Sequence, residues 1–492
     1  MRAEPFGLGG TPTRHAEELL YQRIRMTSVL RGLAGLIVAA AAMAALAGVA
    51  TGGAPLALAG SVAALLLITA LRPADGLLLL AAFGPLGGAL GALVPYRDGW
   101  TIPVLLAFTA GYALRVPWRP GRAGDRWFHA VALLWIAIVM CSLAMVLAAP
   151  APGVTSLVDT WAALGFPIRT GLPFHAIGVA AIAVAGVVIF VATSDECAAR
   201  QGLDRRVLSV LLISVAAAGA LNVYRLLEIA LRRPPFLQSV VEAHRSVRIS
   251  ASFPDVNAAG AFFLLVLPSV IYALRTPRAR ALGAATLLPV LAGLWLSGSR
   301  TALIVFGLTL AAMGLLAPGL ARRRRAGIAG GIVLAALLLG AFYPRTRTAG
   351  DSAIAFGVRR EMAVATLRML REHPLAGLGV GRYRALSPPY MSPLMKSWYP
   401  RQNAHNQFLQ VAGELGIPGL VTFVLLVGFG AVPAARAAWQ SGDPLDRGLA
   451  FGVLAFLAAS LTMHPLMIPE VAAAFWIMLG LCRSRELRAT TP

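Results

Sequence analysis

The chain has 492 residues, of which 58% are hydrophobic and 13% are charged, and its formal net charge is +22. This composition, with a mean hydropathy of +0.74, excludes an ordinary soluble domain. The apolar stretches are continuous rather than alternating, which excludes a transmembrane β-barrel and predicts an all-α polytopic membrane protein.

The apolar segments predict about fourteen transmembrane helices, with about twelve as the lower bound. In chain order they cover residues 28–50, 54–71, 76–94, 101–115, 128–148, 174–193, 207–229, 258–275, 281–297, 301–317, 326–343, 406–434, 448–464 and 468–482. The first has no convincing small-residue cleavage site, so we expect it to be retained as an anchor. The chain is thereby divided into an N-terminal segment (1–27), a first group of transmembrane helices (28–240), a second transmembrane region (241–482) and a C-terminal tail (483–492).

Basic residues predict the orientation of these helices. Arginines are concentrated in alternate loops and near both termini, as in the run Arg322–Arg325. Because short loops rich in Lys and Arg stay in the cytoplasm, we expect both termini to be cytoplasmic.

The longest loop, residues 344–404, falls on the outer face in this topology. It carries ten basic residues against three acidic ones, and long loops cross a membrane regardless of charge. From Val358 the pattern predicts an amphipathic helix of about fourteen residues, which ends at His373-Pro374 before a glycine-rich turn. The excess positive charge favours an anionic partner such as a phosphate-bearing membrane lipid. Nucleic acid is not an expected partner, because no compact basic domain accompanies the charge.

A polar pattern follows the loop. Gln402, Asn406, Gln410 and Glu414 recur every fourth residue, which predicts that they share one face of a helix with His405 at its start. Polar groups at the end of a membrane helix usually line a wet, functional cavity. The alternative is an interfacial helix with solvated side chains.

Other polar residues are expected at the outer face. Arg300 precedes an apolar run and must either snorkel or bind an anion. Asn257 begins another helix, where it is as well suited to be an N-cap as to be a ligand. Tyr399 offers a ring that either stacks on a sugar or anchors the loop at the membrane interface.

Four stretches share this outer side: FPDVNAAGAFFLLVLP at 253–268, SGSRTALIVFGL at 297–308, RREMAVATLRMLREHPLAGLGVGRYR at 359–384 and HNQFLQVAGELGIPGL at 405–420. In order and spacing they resemble the O-antigen ligase and polysaccharide polymerase family of bacterial inner-membrane glycosyltransferases. The resemblance covers roughly residues 250–480. It implies an undecaprenyl-pyrophosphate-linked glycan donor, a glycolipid or lipid-linked saccharide acceptor and an active site that faces the periplasm. It also implies functional roles for His405, Arg300 and Arg359 or Arg360.

The chemistry of such a transfer agrees with these residues. The departing pyrophosphate needs cationic stabilisation, and arginine binds phosphate oxygens in a planar fork. Since we find no D-x-D pair, we expect no metal and no cofactor. The acceptor hydroxyl needs a base, and a neutral imidazole at His405 suits neutral pH. Residues expected to contact substrate are Asn257, Asn406, Gln410, Glu414, Arg401 and Tyr399.

Several functions stay open at this point. An O-antigen ligase, with a lipid A core as acceptor, is favoured slightly over a polysaccharide polymerase and over transfer to protein. A lipid-linked glycan transporter or flippase is disfavoured, since we find no convincing internal repeat and the ionisable groups gather at the outer face.

Overall fold

The computed structural model describes residues 54–489, apart from residues 89–100, 115–122, 149–172 and 399–401 and the short stretches 233–234, 247–248, 251–252, 254, 317–320 and 343–348. Every regular element in these described residues is a helix. The α-helices are α1 (Ala54–Leu71), α2 (Pro73–Phe83), α3 (Thr101–Leu114), α4 (Ala123–Ala148), α5 (Pro173–Ala199), α6 (Leu203–Leu231), α7 (Phe236–Ser246), α8 (Val256–Arg275), α9 (Arg280–Ser297), α10 (Arg300–Leu315), α11 (Arg322–Phe342), α12 (Ala349–Glu372), α13 (Tyr383–Leu386), α14 (Pro393–Trp398), α15 (Gln407–Gln440), α16 (Pro444–Ser460) and α17 (Pro469–Ala489).

Two helices form the centre of the bundle. All residues of α17 from Pro469 to Ser484 are buried, and α8 is buried continuously from Ala258 to Val270. Helix α17 packs against α5, α15 and α16, whereas α8 packs between α9 and α16. Small residues allow this proximity, since a β-carbon at Gly452 of α16 would lie 2.0 Å from the Leu265 carbonyl oxygen of α8.

Six helices in the described residues are long and apolar enough to cross a membrane. They are Arg126–Ala148, Ala176–Ala199, Leu203–Leu231, Val256–Arg275, Arg280–Ser297 and Gln407–Gln440. Shorter apolar helices accompany them, among them Thr101–Leu114 and Arg300–Leu315. The chain is therefore an all-helical, multi-pass membrane protein, as predicted. The total of fourteen spans and the cytoplasmic position of both termini stay predictions.

Helices occupy most of the described part of each predicted apolar segment. The segment predicted at 28–50 lies outside the described residues, as do residues 89–94 of the segment predicted at 76–94. Helix α2 ends at Phe83 instead of continuing, because Pro85 has no N–H to donate and the chain forms a 3₁₀ turn over Gly84–Leu86. Helix α16 ends at Ser460, so that residues 461–464 form a loop before Pro465.

The outer loop folds into a unit with its own core. Helices α12, α13 and α14 enclose a small apolar cluster that is separate from the main core; its buried members are Met362, Ala365, Met369, Tyr383, Met391, Met395 and Ala404. The Tyr383 hydroxyl hydrogen-bonds the Thr366 hydroxyl at 2.6 Å inside this cluster. Helix α12 has 24 residues rather than the predicted fourteen, because no proline interrupts the chain between Ala349 and Val358.

The glycine-rich turn joins this outer unit to α15. Leu378 N donates to the Gly413 carbonyl oxygen at 2.8 Å, and Ile417 N donates to the Pro374 carbonyl oxygen at 2.8 Å. These bonds form where α15 is interrupted by Gly416, whose φ is 69° and ψ is −169°. Only glycine adopts this conformation without strain.

A substitution at Gly416 should therefore weaken the attachment of the outer unit. A β-carbon there would lie 2.6 Å from the Leu375 carbonyl group. With the backbone strain included, we expect Gly416→Ala to lower the free energy of unfolding by about 2 kcal/mol or more. Gly428→Ala is the matched control, since it lies in the same helix with no atom within 4 Å of the added carbon. Thermal unfolding in detergent measures both variants, and an equal midpoint for the two would contradict the expectation.

Candidate active site

The segment before α15 places His405 outside the helix. Asn406 is the N-cap, and its side-chain oxygen accepts hydrogen bonds from the backbone N–H groups of Phe408 and Leu409 at 2.9 and 3.1 Å. His405 has a φ of 51°, and no other non-glycine residue in the described part of the chain has a positive φ. Histidine tolerates this left-handed conformation better than most residues. Such strain is found most often at functional sites.

The predicted polar stripe is consequently wrong in one respect. Gln410 and Glu414 lie on α15, but Gln402 and Asn406 precede its first residue, Gln407. The N-cap ends the helical periodicity, because the residues before it have non-helical backbone angles.

A second histidine lies against His405. The ring of His464, from the loop between α16 and α17, meets the His405 ring edge-on with 5.3 Å between the ring centroids. His464 is buried, whereas His405 is half-buried. The Nδ2 atom of Asn403 lies 3.4 Å from Nε2 of His464. Two imidazoles and the Asn403 amide thus pack together in one polar cluster, which we call the histidine pocket.

The amide atoms that face the two rings favour one tautomer for each ring. Nε2 of His405 lies 3.3 Å from Oε1 of Gln402, an atom that can only accept, so Nε2 carries the proton and Nδ1 is free to accept one. Nε2 of His464 faces the amide nitrogen of Asn403, which can only donate, so the proton of His464 is on Nδ1.

The end of α16 brings Arg359 to the same place. Asn406 Nδ2 donates to the carbonyl oxygen of Leu461 at 2.8 Å, and Arg359 Nε donates to that of the next residue, Thr462, at 3.2 Å. Two consecutive carbonyl groups therefore hold the N-cap of α15 and an arginine of α12 side by side.

Burial keeps the His405 imidazole neutral. It lowers the pKa of His405 to about 3, with further lowering by the neighbouring His464 and by the positive charge of Arg359, while Asp255 acts in the opposite direction. Loss of hydration is the largest cause of this lowering of the His405 pKa. At neutral pH the ring can accept a proton.

The start of α8 faces the two histidines. Asp255 is the N-cap of this helix, with Oδ1 accepting from the N–H of Asn257 at 2.7 Å. The alternative of Asn257 as the N-cap is therefore wrong, and the carboxylate two residues earlier takes that role because it can accept from two N–H groups at once.

Arg300 begins the neighbouring helix. It is the first residue of α10, behind an N-cap formed by Ser299. A β-carbon at Gly260 of α8 would lie 2.5 Å from Cβ of Ser299, so this corner rests on α8 about one turn beyond Asp255. The half-buried Arg300 thus lies close to the start of α8.

Gln410 and Glu414 are buried and form a chain of hydrogen bonds. Ala404 N donates to Oε1 of Gln410 at 2.9 Å, and Nε2 of Gln410 donates to Oε1 of Glu414 at 2.8 Å. The Glu414 carboxylate also accepts from the backbone N–H groups of Gly381 and Tyr383 in the outer unit. A cavity of about 50 Å³, walled mainly by apolar side chains, lies beside this chain. These contacts tie the segment that carries His405 to the outer unit.

The remaining predicted site residues lie further away or outside the described residues. Arg360 is exposed, unlike its half-buried neighbour Arg359. Tyr399 and Arg401 lie outside the described residues. In the part of the chain that the structure describes, no group of three or more His, Cys, Asp or Glu side chains could hold a metal ion.

Comparison with known protein families decides the relationship of the chain. The sequence model of the O-antigen ligase family matches residues 284–424. This region of the chain belongs to the O-antigen ligase family. A search of curated proteins found no match.

The O-antigen ligase match contains Arg300, Arg359 and His405, together with the outer unit and the first half of α15. It ends before His464 and begins after Asp255. The pocket around His405 is therefore completed by two regions outside the matched residues.

Two buried polar residues of this pocket were not predicted as site residues. Asn403 has a weak signal, since it precedes His405 by two positions in a polar stretch. His464 is 59 positions beyond His405, and only its place before a proline at the outer end of a helix marks it in the sequence. Their contact depends on how α16 and α17 pack against α15.

Proposed function

We propose that this O-antigen ligase family member is a membrane glycosyltransferase. It transfers a glycan from undecaprenyl pyrophosphate to a saccharide acceptor on the periplasmic side of the bacterial inner membrane, and we favour a lipid A core as this acceptor. The observation that carries the proposal is that Arg359 and the segment that carries His405 meet at the end of α16, where Arg359 and Asn406 donate to the carbonyl oxygens of Thr462 and Leu461. At this place the positive charge of Arg359 acts on the His405 ring.

His405 acts as the general base. The acceptor hydroxyl oxygen attacks the anomeric carbon of the donor glycan, and the hydroxyl proton passes to Nδ1 of His405. The bond between the anomeric carbon and the phosphate oxygen breaks, and its electron pair stays with the departing undecaprenyl pyrophosphate. Gln402 holds the ring in the tautomer that exposes Nδ1.

Arginine side chains stabilise the leaving group. Negative charge develops on the pyrophosphate as the glycosidic bond breaks, and guanidinium groups placed in advance lower the energy of that transition state. We assign this role to Arg359, whose charge acts on His405, and to Arg300, which is half-buried at the start of α10 where that helix rests on α8. The exposed Arg360 is assigned no direct contact. The excess positive charge of the outer unit attracts the anionic donor.

The other predicted substrate contacts receive different roles. Asn257 and Asn406 lie at the starts of α8 and α15, close to the pocket, and stay proposed ligands together with Tyr399 and Arg401. Gln410 and Glu414 are proposed to position the loop that carries His405, since their hydrogen bonds are made within the protein.

The low pKa of His405 predicts an unusual pH profile. The base is active when neutral, so the transfer rate should fall only as the pH falls toward about 3. An ordinary histidine would lose half its base form near pH 6.5. The pH dependence of kcat/KM reports the pKa values of the free enzyme. We therefore expect protonation of His405 to cause no fall in kcat/KM between pH 8 and pH 5. The negative charge of a bound diphosphate raises the pKa of His405 in the substrate complex, so the fall of kcat at low pH should begin at a higher pH than the fall of kcat/KM. A kcat/KM profile that is half-maximal near pH 6.5 would contradict the assignment.

Transfer by the purified protein tests the function. The protein is placed in liposomes with a labelled oligosaccharide on undecaprenyl pyrophosphate and with a lipid A core acceptor, and labelled acceptor is measured. We expect transfer by the native protein and none by Arg300→Ala. The glycolipids of a deletion strain then identify the acceptor: long chains that accumulate on the carrier indicate a lost ligase, and single repeats indicate a lost polymerase. Absence of transfer both to the lipid A core and to a lipid-linked saccharide would overturn the proposal.

A further inference from the structure

The pocket beside His405 contains two buried polar atoms without a partner. Oδ1 of Asn403 and Nδ1 of His464 have no hydrogen-bond partner among the described residues. Asn403 is 6% exposed and His464 is 8% exposed, so neither residue is solvated by bulk water. Buried polar atoms are nearly always hydrogen-bonded, and an exception needs an explanation. The two residues contact each other, so their unpaired atoms belong to one site and call for one explanation.

The two atoms have complementary hydrogen-bonding capacities. Oδ1 of Asn403 accepts hydrogen bonds. Nδ1 of His464 donates one, because its other ring nitrogen accepts from the Asn403 amide. Burial lowers the pKa of His464, so the ring is neutral and keeps a single N–H. The pocket thus presents one acceptor and one donor, both uncharged.

The surroundings favour a neutral ligand close to the reacting groups. The His464 ring packs on the ring of His405, and the opposite charges of Asp255 and Arg384 both act on His464. A phosphate would leave the acceptor atom of Asn403 unsatisfied, and an ammonium group would leave the N–H of His464 unsatisfied. A hydroxyl group donates and accepts, and neighbouring hydroxyls of a sugar ring do both at once.

We propose that Asn403 and His464 form a subsite that binds hydroxyl groups of a carbohydrate ring next to His405. The inference rests on the proposed glycosyl transfer and adds to it a site for the sugar itself. The sugar belongs either to the donor glycan or to the acceptor, because both bring hydroxyl groups to the base. Discrimination between sugars would arise here, since an analogue without the hydroxyl leaves two buried polar atoms unpaired.

Steady-state kinetics with donor and acceptor varied separately test the subsite. We expect Asn403→Leu and His464→Phe each to raise the KM of the same saccharide substrate by about tenfold, the usual effect of losing such a hydrogen bond. The KM of the other substrate should stay unchanged, and kcat should stay within about threefold of the native value. A rise in the donor KM assigns the subsite to the donor glycan, and a rise in the acceptor KM assigns it to the acceptor.

Two controls separate binding from folding. His373→Phe makes the same substitution at an exposed histidine of the outer unit and should leave both KM values unchanged. His464→Gln keeps an amide that can pair with Asn403 and loses only the donor at the position of Nδ1, so it should raise the same KM even if the phenylalanine variant unfolds. Thermal unfolding midpoints show which variants are folded.

The outcomes are distinct. Unchanged KM values for both substrates in folded Asn403 and His464 variants would overturn the proposal of a subsite. Oδ1 of Asn403 and Nδ1 of His464 would then be hydrogen-bonded to ordered water instead of a sugar. A fall in kcat alone would also overturn it, since Asn403 and His464 would then only position His405. Absence of transfer by the native protein would overturn the proposed function, and the subsite with it.

Discussion

Replacement of His405 by alanine should lower kcat by about 10²- to 10⁴-fold, the usual contribution of a general base. The proton of the acceptor hydroxyl then has no free ring nitrogen to receive it, because Nε2 of the neighbouring His464 faces the Asn403 amide and its Nδ1 carries the proton. The protein should still insert into the membrane at a normal level, because the half-buried ring makes a single side-chain hydrogen bond among the described residues, to Gln402. Transfer in liposomes measures the rate, and surface polysaccharide in a complemented deletion strain measures the consequence.

The matched control for this variant is His373→Ala. His373 directly follows α12 in the outer unit and is exposed, so its removal should change kcat by less than about twofold. Normal surface polysaccharide in a strain whose only copy is His405→Ala would exclude the role of His405 as a base.

The second large effect concerns two neighbouring arginines. Arg359→Ala should lower kcat by about 10²- to 10³-fold, as removal of a preorganised group at a developing negative charge does. Arg360→Ala removes the same charge from the adjacent residue, which is exposed, and should change kcat by only a few-fold. The two variants are equal in net charge and differ in whether the side chain reaches the loop at Thr462.

Lysine at position 359 refines this comparison. Lysine keeps the charge but cannot make the planar pair of hydrogen bonds to phosphate. Arg359→Lys should therefore recover only a small part of the lost rate. Equal losses in Arg359→Ala and Arg360→Ala would mean that the positive charge of the outer unit acts only at long range.

Much of the architecture could be predicted because a lipid environment leaves few choices. Backbone groups in a bilayer must be paired within the segment, so continuous apolar runs become helices, and those at 128–148 and 207–229 lie within α4 and α6. The breaks were harder to predict. The end of α2 at Phe83 follows from Gly84-Pro85, a local signal that hydropathy alone does not record.

The candidate site was predicted only in part. His405 and Arg300 carry signals in the sequence, because charged or ionisable residues beside apolar runs are rare. Arg359 was predicted only through the family resemblance, which did not separate it from Arg360. Gln402 was predicted on the same face as Gln410, but the N-cap at Asn406 turns the chain and directs Gln402 to the His405 ring. His464 depends on packing between helices distant in sequence, which no periodicity reports.

Contacts within the protein fix the position of Arg359 relative to His405. The outer unit folds around its own apolar core and is tied to α15 through the interruption at Gly416. Arg359 belongs to this unit, whereas His405 belongs to the segment before α15. The hydrogen bonds from Ala404 through Gln410 to Glu414 hold the segment that carries His405 in a fixed position relative to the outer unit that carries Arg359.

A cryo-electron microscopy structure of the protein with undecaprenyl pyrophosphate tests the central claim most directly. We expect the diphosphate at the outer end of α16, with phosphate oxygens about 2.8 Å from the Arg359 guanidinium and Nδ1 of His405 facing the side from which the acceptor approaches. A diphosphate bound away from both residues, for example at the arginine run 322–325, would contradict this account.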